Sequence, residues 1–143
     1  MTQIEDCISF LMSKAAQQVS RRARDALEPH GVTPTQYAVL RALADADGLT
    51  GAEIGERLGI DSATTTGVAD RLAAAGLVER RPDPVDRRLQ RLFVTARAHA
   101  LQPTIDLAIS RLNAEVAAEF GGEAAPLWAS LRRLAARPVR SAK

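Results

Sequence analysis

The sequence is poor in the residues on which catalysis, metal binding and disulfide bonding usually depend. It has one cysteine and two histidines among 143 residues. A single cysteine permits no internal disulfide, and the spacing of these residues offers no metal cluster. His30 and His99 have no nucleophile arrangement near them, and the sequence has no phosphate-binding loop. We therefore expect no enzyme, no metal and no cofactor.

Long apolar runs are also missing. No run approaches the roughly 18–20 residues of a membrane span, and the N-terminus lacks a signal-peptide core with a cleavage site. We therefore expect a cytoplasmic protein. The 46% hydrophobic and 25% charged content suits a single folded domain of this length. Because the net charge is only +2, overall charge says little about nucleic acid, and the local pattern of charge must decide.

The middle of the chain carries the signals of two short helices joined by a tight turn. Thr50 and Glu53 have the spacing of a capping box, and Gly59 is placed to close the first helix. Asp61 offers an N-cap to a second helix, which ends at Gly76. Two helices joined by a short glycine-containing turn are typical of a helix-turn-helix.

The second of these helices has two different faces. The face predicted to be buried comprises Thr65, Val68, Ala69 and Leu72. The outward face is small and hydroxyl-rich, and comprises Ala63, Thr66, Gly67, Asp70 and Ala74, with Ser62, Thr64 and Arg71 at its margins. Such a face permits close approach to a DNA major groove. Taken alone, however, three consecutive threonines are more typical of an ordinary surface helix.

An arginine-rich hairpin follows directly. Residues 77–81 and 89–95 have the composition of strands, and two prolines between them indicate a turn. Five arginines flank the turn: Arg80, Arg81, Arg87, Arg88 and Arg91. They suit either a contact to DNA phosphates and a narrow minor groove or a solvated sheet edge. Because a helix-turn-helix precedes the hairpin, we interpret it as a wing, in which Asp86 can hold the Arg88 guanidinium.

Amphipathic helices are predicted on both sides of this central stretch. Residues 3–28 have the periodicity of one helix, with an apolar stripe formed by Ile4, Ile8, Leu11, Ala15, Val19 and Ala26. A capping box with proline at its first helical position, residues 33–36, starts the next helix. We expect Gly48 to end that helix and its core face to comprise Tyr37, Leu40, Leu43 and Ala44.

Two more helices are predicted after the hairpin, over residues 96–120 and 123–136, and Pro103 should kink the first of them. The apolar stripes of these terminal helices are too large to be covered within one small domain. A second copy of the chain would cover them and would match a two-fold DNA site. The alternative is an intramolecular bundle.

Three motifs together resemble the MarR family of winged-helix transcription regulators: AAGLVER at residues 74–80, DRR at 86–88 and LFVT at 92–95. The resemblance implies a mainly α (α+β) fold and one domain, residues 1–143. Within it a winged helix-turn-helix lobe, residues 33–96, would bind DNA, and residues 1–32 and 97–143 would form a helical dimerisation lobe. One departure from the family is Gly67, where many relatives carry a larger polar or basic side chain.

The resemblance also implies a function: a homodimer on a pseudo-palindromic operator, most often a repressor released by a small organic ligand such as an aromatic acid or acyl thioester. Arg88 would enter the minor groove with Asp86 as its support. The N-terminus of the helix after residue 33 would contact phosphate. The expected DNA-binding residues are Thr35, Gln36, Ser62, Ala63, Thr64, Thr66, Gly67, Arg71, Arg80, Arg81, Asp86, Arg87 and Arg88.

The first helix carries two further features. Arg22 lies within its apolar stripe, where an arginine either snorkels or pairs across an interface; alternatively it anchors an anionic effector. The candidate effector-binding residues are Leu11, Arg22, Tyr37 and His99. Some relatives sense organic peroxides through a cysteine in this helix. Cys7 has no basic cluster beside it, so we predict a small buried residue. Peroxide sensing through Cys7 and a winged helix used for protein contact stay open as alternatives.

Overall fold

A computed structural model describes residues 3–136. The helices are α1 (Ile8–Leu27), α2 (Pro34–Asp45), α3 (Gly51–Leu58), α4 (Ser62–Ala74), α5 (Ala96–Phe120) and α6 (Ala124–Ala135). The strands are β1 (Leu49–Thr50), β2 (Val78–Pro82) and β3 (Gln90–Val94), which form an antiparallel sheet in the order β1-β3-β2. Short 3-10 turns lie at Ile4–Asp6, Glu28–His30 and Gly121–Glu123. The predicted mainly helical fold with a small sheet is confirmed.

The chain divides into two compact units, Met1–Ile109 and Ser110–Lys143, with the division inside α5. The core of the first unit receives side chains from each of its five helices. The fully buried members are Leu27, Val39, Leu40, Leu43, Ile54, Leu72 and Ile105. Burying one such side chain is worth about 1.5–3 kcal/mol relative to leaving it exposed. These contacts therefore fix α3 and α4 against the rest of the first unit.

Side-chain caps determine where three of the helices begin. Thr33 and Gln36 form a complete capping box: each side-chain oxygen accepts the other residue's backbone N–H, at 3.2 and 2.9 Å. Thr50 and Glu53 do the same for α3, at 3.2 and 2.9 Å. Asp61 Oδ1 accepts the N–H of Thr64 at 2.7 Å and caps α4. All three predicted starts are confirmed to within a residue.

The end of α2 differs from the prediction. The helix stops at Asp45, three residues before Gly48, and a short strand, β1, follows. Gly48 has a φ of 79°, and a Cβ there would lie only 3.1 Å from the ring of Phe93. A larger residue would therefore be strained and would crowd the ring. Leu49 then pairs with Leu92 on β3, a contact that no local pattern announces.

The core face of α2 was predicted only in part. Leu40 and Leu43 are buried as expected, but Ala44 is exposed. Val39 and Ala42 are buried instead. The buried face of α2 therefore differs from the predicted stripe, because it includes the residue that precedes each of the two predicted leucines.

The first helix is shorter than predicted, and most of its apolar stripe is exposed. A 3-10 turn occupies Ile4–Asp6, and α1 begins only at Ile8, because Cys7 has an extended backbone. Ile8 and Val19 are 67% and 43% exposed, whereas Ala23 and Leu27 are buried. Helical periodicity therefore identified an amphipathic helix but not which part of it the chain itself covers.

The prediction that Cys7 is buried is wrong. It is partly exposed at the N-cap of α1, and its Sγ lies 3.1 Å from the Ser9 hydroxyl. That hydrogen bond, together with the backbone N–H groups of Phe10 and Ser9, lowers the pKa of the thiol. The residues that perturb it belong to the first helical turn, not to a basic cluster.

Side-chain hydrogen bonds connect the end of α4 with the start of α5. The Thr95 hydroxyl donates to the carbonyl of Gly76 at 2.7 Å and accepts the N–H of Ala98 at 3.2 Å. Arg97 Nη1 donates to the carbonyl of Ala75 at 2.9 Å. The residues that open α5 therefore satisfy carbonyls left free where α4 ends. Helix α5 then continues as one helix through Pro103; the kink there stays a prediction.

Candidate nucleic-acid interface

Helix α4 presents the two faces that its sequence predicts. Thr65, Val68, Ala69 and Leu72 are buried. The opposite side is exposed except for Gly67, which is half-buried; the exposed residues are Ser62, Ala63, Thr64, Thr66, Asp70, Arg71 and Ala74. Apart from Arg71 at its margin, no side chain on this side is larger than a threonine or an aspartate. The face is therefore slim enough to approach a groove closely.

A close backbone approach holds α4 against α3. A Cβ on Gly55 would lie 3.0 Å from the carbonyl oxygen of Ile60 and 3.2 Å from Thr65 Oγ1. Thr65 is itself tied back, since its hydroxyl donates to the Asp61 carbonyl at 2.9 Å. Only glycine at this point of α3 lets the turn fold so tightly onto the start of α4.

The wing loop between β2 and β3 is organised around Asp83. The residue is 8% exposed. Its Oδ1 accepts the backbone N–H groups of Val85 and Asp86, both at 2.9 Å, and its Oδ2 accepts Nε of Arg91. The N–H of Asp86 and the Arg91 guanidinium, in that order, lower the pKa of Asp83 to about 2. The carboxylate is therefore ionised, and it shapes the turn.

Arg91 is turned toward Asp83, Gly48 and Glu53, although the sequence grouped it with the arginines that flank the turn and suit a DNA contact or a solvated edge. Besides binding Asp83, its Nη1 donates to the carbonyl of Gly48 at 2.8 Å and lies 3.7 Å from Glu53 Oε2. The hydrogen bond with Asp83 is also the main reason why the pKa of Arg91 is raised. Arg91 thus connects the wing to β1 and to the first turn of α3.

Arg87 and Arg88 are exposed and take no part in the hydrogen bonds between Asp83 and Arg91. The Arg88 side chain is 90% exposed, and its Nε and Nη2 donate to the two oxygens of Asp86 at 3.0 and 3.3 Å. The expected support of Arg88 by Asp86 is therefore confirmed as a contact, and the same hydrogen bond lowers the pKa of Asp86. Arg87 is exposed and forms no ion pair within the described residues 3–136.

The remaining wing arginines, Arg80 and Arg81, are engaged with neighbouring side chains. Arg80 Nη2 donates to Asp70 Oδ1 on the outward side of α4. Arg81 pairs with Glu79 and lies over the ring of Phe93, 4.3 Å from its centroid. The sequence pattern did not reveal these partners. The Arg80 contact joins β2 directly to the outward face of α4.

At the N-terminus of α2, both predicted contact residues are half-buried. The side chain of Gln36 is used in the capping box with Thr33. Thr35 occupies the second position of the helix. The sequence thus placed both residues correctly at a helix start, whereas their contact with phosphate stays a prediction.

The candidate effector-binding residues lie on three helices. Leu11 is exposed on α1, Arg22 is half-buried on the same helix, and His99 is exposed in the first turn of α5. The Tyr37 hydroxyl donates to Asp106 Oδ1 at 3.0 Å. Burial, then that hydrogen bond, raises the pKa of Tyr37 to about 12.

Asp106 is the centre of a polar cluster that sequence reasoning missed. Besides Tyr37, it accepts Nη1 of Arg41 at 3.0 Å and Nε2 of Gln102 at 2.9 Å. Arg41 also pairs with Asp45, which in turn pairs with Arg57 on α3. Because Arg41 and Asp106 are 65 residues apart, only the fold brings them together.

Among residues 3–136, no group of three or more His, Cys, Asp or Glu side chains is arranged to hold a metal ion. Nor does any helix in that part of the chain combine the length and apolar content needed to cross a bilayer.

Two capped helices meeting at a tight turn, followed by a braced two-stranded wing, define a winged helix-turn-helix. The family model described as MarR family matches residues 30–89. The HTH-type transcriptional regulator TtmR of Methylorubrum extorquens is 36% identical over 103 residues, 72% of this chain and 53% of that protein. The chain therefore spans about half the length of this relative.

Solved structures agree over nearly the whole chain. The PcaV transcriptional regulator of Streptomyces coelicolor, in complex with its natural ligand, has a TM-score of 0.82 and 27% identity, covering 94% of this chain and 96% of that one. A mutant MarR from E. coli, complexed with operator DNA, has a TM-score of 0.82 and 25% identity, covering 94% and 99%. The chain belongs to the MarR family of winged-helix transcriptional regulators.

Proposed function

We propose that this protein regulates transcription by binding double-stranded DNA. The observation that carries the proposal is the pairing of a slim, exposed face on α4 with Arg87 and Arg88 on a wing held in place by Asp83. An α-helix fits the major groove, and an arginine beside it suits the phosphates or a narrow minor groove. The E. coli relative complexed with operator DNA supports this assignment.

In this proposal the N-terminal part of α4 contacts base edges, through the hydroxyls of Ser62, Thr64 and Thr66 and the methyl of Ala63. Gly67 lets the backbone approach, and Arg71, at the edge of the face, contacts phosphate. On the wing, Arg88 enters the minor groove in the pose that Asp86 gives it, and Arg87 neutralises phosphate. Arg80 and Arg81 add positive charge beside α4, and Thr35 and Gln36 present the N-terminus of α2 to the backbone.

We further propose a homodimer, with residues 33–96 as its DNA-binding lobe and residues 1–32 and 97–143 as its dimerisation lobe. The apolar side chains exposed on α1 support this: Ile8, Leu11, Met12 and Val19 lie along one side of the helix at 37–67% exposure. In α6, Leu131 and Leu134 are also exposed. Pairing two chains by a two-fold axis would cover such stripes and present two copies of α4 to a pseudo-palindromic operator.

We also propose that the protein is a repressor and that a small organic effector, such as an aromatic acid or an acyl thioester, releases it from DNA. PcaV was solved in complex with its natural ligand, which supports a ligand response. Arg22, with Leu11, Tyr37 and His99, remains the candidate set for that site. Two conformations of the dimer are involved, one whose two α4 helices have the spacing that fits the operator and one whose spacing does not. A ligand would release DNA only if it bound the second conformation more tightly than the first.

Replacing Arg88 with alanine tests the proposal. We expect DNA affinity to fall well over tenfold, a change of more than about 1.4 kcal/mol, because the exposed guanidinium would be lost from the minor groove. The measurement is a mobility-shift titration on a duplex that the wild-type protein has selected from a random-sequence pool. Arg88→Lys is the matched control, since it keeps the charge but not the planar fork. Unchanged affinity of Arg88→Ala, with an unchanged melting temperature, would refute the role.

The state of Cys7 supports one alternative, a regulator that responds to organic peroxide. The thiol is partly exposed and its pKa is lowered, chiefly by the Ser9 hydroxyl, which favours the reactive thiolate. Titrating the protein–DNA complex with an organic hydroperoxide, wild type against Cys7→Ser, separates the two. Equal release of DNA from both proteins would eliminate the peroxide model.

A winged helix used only for protein contact is the other alternative. DNA binding through phosphates releases counterions, so affinity should fall steeply and linearly on a log–log plot against salt concentration. Affinity for duplex DNA that is weak and independent of salt would favour the protein-contact alternative.

A further inference from the structure

A buried carboxylate, Asp83, links the tip of the wing to the rest of the first unit. Asp83 uses Oδ1 for the N–H groups of Val85 and Asp86, and Oδ2 for Arg91. These bonds hold the backbone that carries Asp86, and Asp86 in turn holds the Arg88 guanidinium through both its oxygens. A continuous path of hydrogen bonds therefore runs from Arg91 to Arg88.

The inner end of this path is itself anchored. Arg91 donates to the carbonyl of Gly48, next to β1, and lies near Glu53 in the first turn of α3. Glu53 belongs to the capping box that starts α3. The orientation of the wing tip is thus fixed with respect to the helix-turn-helix, not only to its own hairpin.

We propose that Asp83 is the positioning residue of the wing: it holds Asp86 and Arg88 in the pose that binds DNA, without contacting DNA itself. Its 8% exposure leaves it little surface to offer a ligand, and a carboxylate would repel phosphate. The inference rests on the proposed function, which supplies the contact between Arg88 and DNA. The inference adds what holds Arg88 in position for that contact.

The charge of Asp83 makes the direction of the effect diagnostic. Removing a carboxylate makes the protein more positive, which by general electrostatics strengthens DNA binding. If Asp83 positions the wing, its removal must weaken binding instead. Asp45→Asn is the matched control, since it too removes one carboxylate from the protein. Asp45 pairs with Arg41 and Arg57, away from the wing.

The experiment compares Asp83→Ala, Asp83→Asn and Asp45→Asn, each alone and with Arg88→Ala, on the DNA duplex selected by the wild-type protein. We expect Asp83→Ala to weaken binding at least about fivefold, and by no more than about twofold when Arg88 is already alanine, as for residues acting through one another. Asp83→Asn keeps an acceptor for the loop N–H groups but not the charge, so its loss should be intermediate. Asp45→Asn should not weaken binding.

Hydrogen exchange of the free protein gives a second readout that does not depend on DNA. The amides of Val85 and Asp86 should exchange faster in Asp83→Ala than in the wild type, with Asp83→Asn between them. If Asp83→Ala does not fold, as judged by its melting curve, Asp83→Asn alone carries the comparison.

The outcomes separate the two claims. Loss of affinity in Arg88→Ala, with none in either Asp83 variant, overturns the positioning role and leaves the proposed function standing. An equal loss on removing Asp83 with and without Arg88 also overturns it, because Asp83 would then act by another route. Unchanged affinity in Arg88→Ala refutes the wing contact on which both depend.

Discussion

Helix α4 and the wing form one candidate surface, but different forces hold them in place. The inner face of α4 is apolar apart from Thr65 and is buried in the core, with Leu72 fully enclosed. The wing loop is held by ionised groups, Asp83 and Arg91, and by backbone N–H groups. Apolar burial responds weakly to pH and moderate salt, whereas ion pairs respond to both. The helix is therefore the fixed part of the surface and the wing the condition-dependent part.

The same contrast separates two arginines of the wing. Arg91 and Arg88 are three positions apart, yet one faces Asp83 and the carbonyl of Gly48 while the other is 90% exposed. Each is paired with an aspartate, so charge alone does not distinguish them. What differs is the burial of the partner: Asp83 is buried within the loop, while Asp86 is half-buried.

The largest effect on stability should come from truncating a buried apolar side chain of α4. Leu72→Ala is expected to lower the free energy of unfolding by about 2–5 kcal/mol, because Leu72 is fully buried and leaves a cavity. Urea denaturation followed by circular dichroism measures it. Arg88→Ala is the counterpart in the wing and should change the same quantity by no more than about 0.5 kcal/mol. Similar losses in both variants would mean that the wing is part of the core.

Acid should act on the wing loop before it acts on the apolar contacts of α4. The pKa of Asp83 is lowered to about 2 in the folded chain, against about 3.9 when unfolded. Its stabilising contribution is therefore complete above about pH 4 and is lost as the pH falls through about 2. The hydrogen bonds to the backbone N–H and the hydroxyl of Thr64 lower the pKa of Asp61 as well, so its cap on the first turn of α4 should also be lost in acid.

Hydrogen exchange followed by NMR at decreasing pH checks this prediction. After correction for the intrinsic pH dependence of exchange, the amides of Val85 and Asp86 should lose protection earlier than that of Leu72. Simultaneous loss at all three would show that Asp83 has no separate role in the loop.

The smallest effect is expected on the outward face of α4. Gly67→Ala should stabilise the protein by about 0.5–1 kcal/mol, because glycine is unfavourable within a helix. The added Cβ would meet only Arg71 Nη2, at an ordinary 3.7 Å. Gly55→Ala is the contrasting control: its Cβ would lie 3.0 Å from the Ile60 carbonyl, so it should destabilise. Thermal melting of the two variants in opposite directions is the expected result.

Sequence reasoning succeeded where local chemistry determines structure. The caps at Thr33, Thr50 and Asp61 and the two faces of α4 need only neighbouring residues, and all were predicted. The Asp86–Arg88 contact is local too, and was expected.

The misses depend on residues far apart in the chain. Strand β1 exists because Leu49 meets Leu92, and the inward turn of Arg91 requires the carbonyl of Gly48, 43 residues away. For α1, periodicity showed an amphipathic helix, but its exposed stripe shows that amphipathicity does not reveal what covers it. The helix is interrupted at Cys7 because the backbone of that residue is extended, which the apolar pattern does not predict.

The hydroxyl of Thr95 has one further consequence. Since it bonds both the last turn after α4 and the first turn of α5, neither helix can change its direction at that point without straining the other. A twist applied along α5 would therefore reach α4 through the Thr95 hydroxyl and the Arg97 guanidinium. Thr95→Val, nearly the same shape without the hydroxyl, would remove one of these two connections together with the acceptor for the Ala98 N–H at the start of α5.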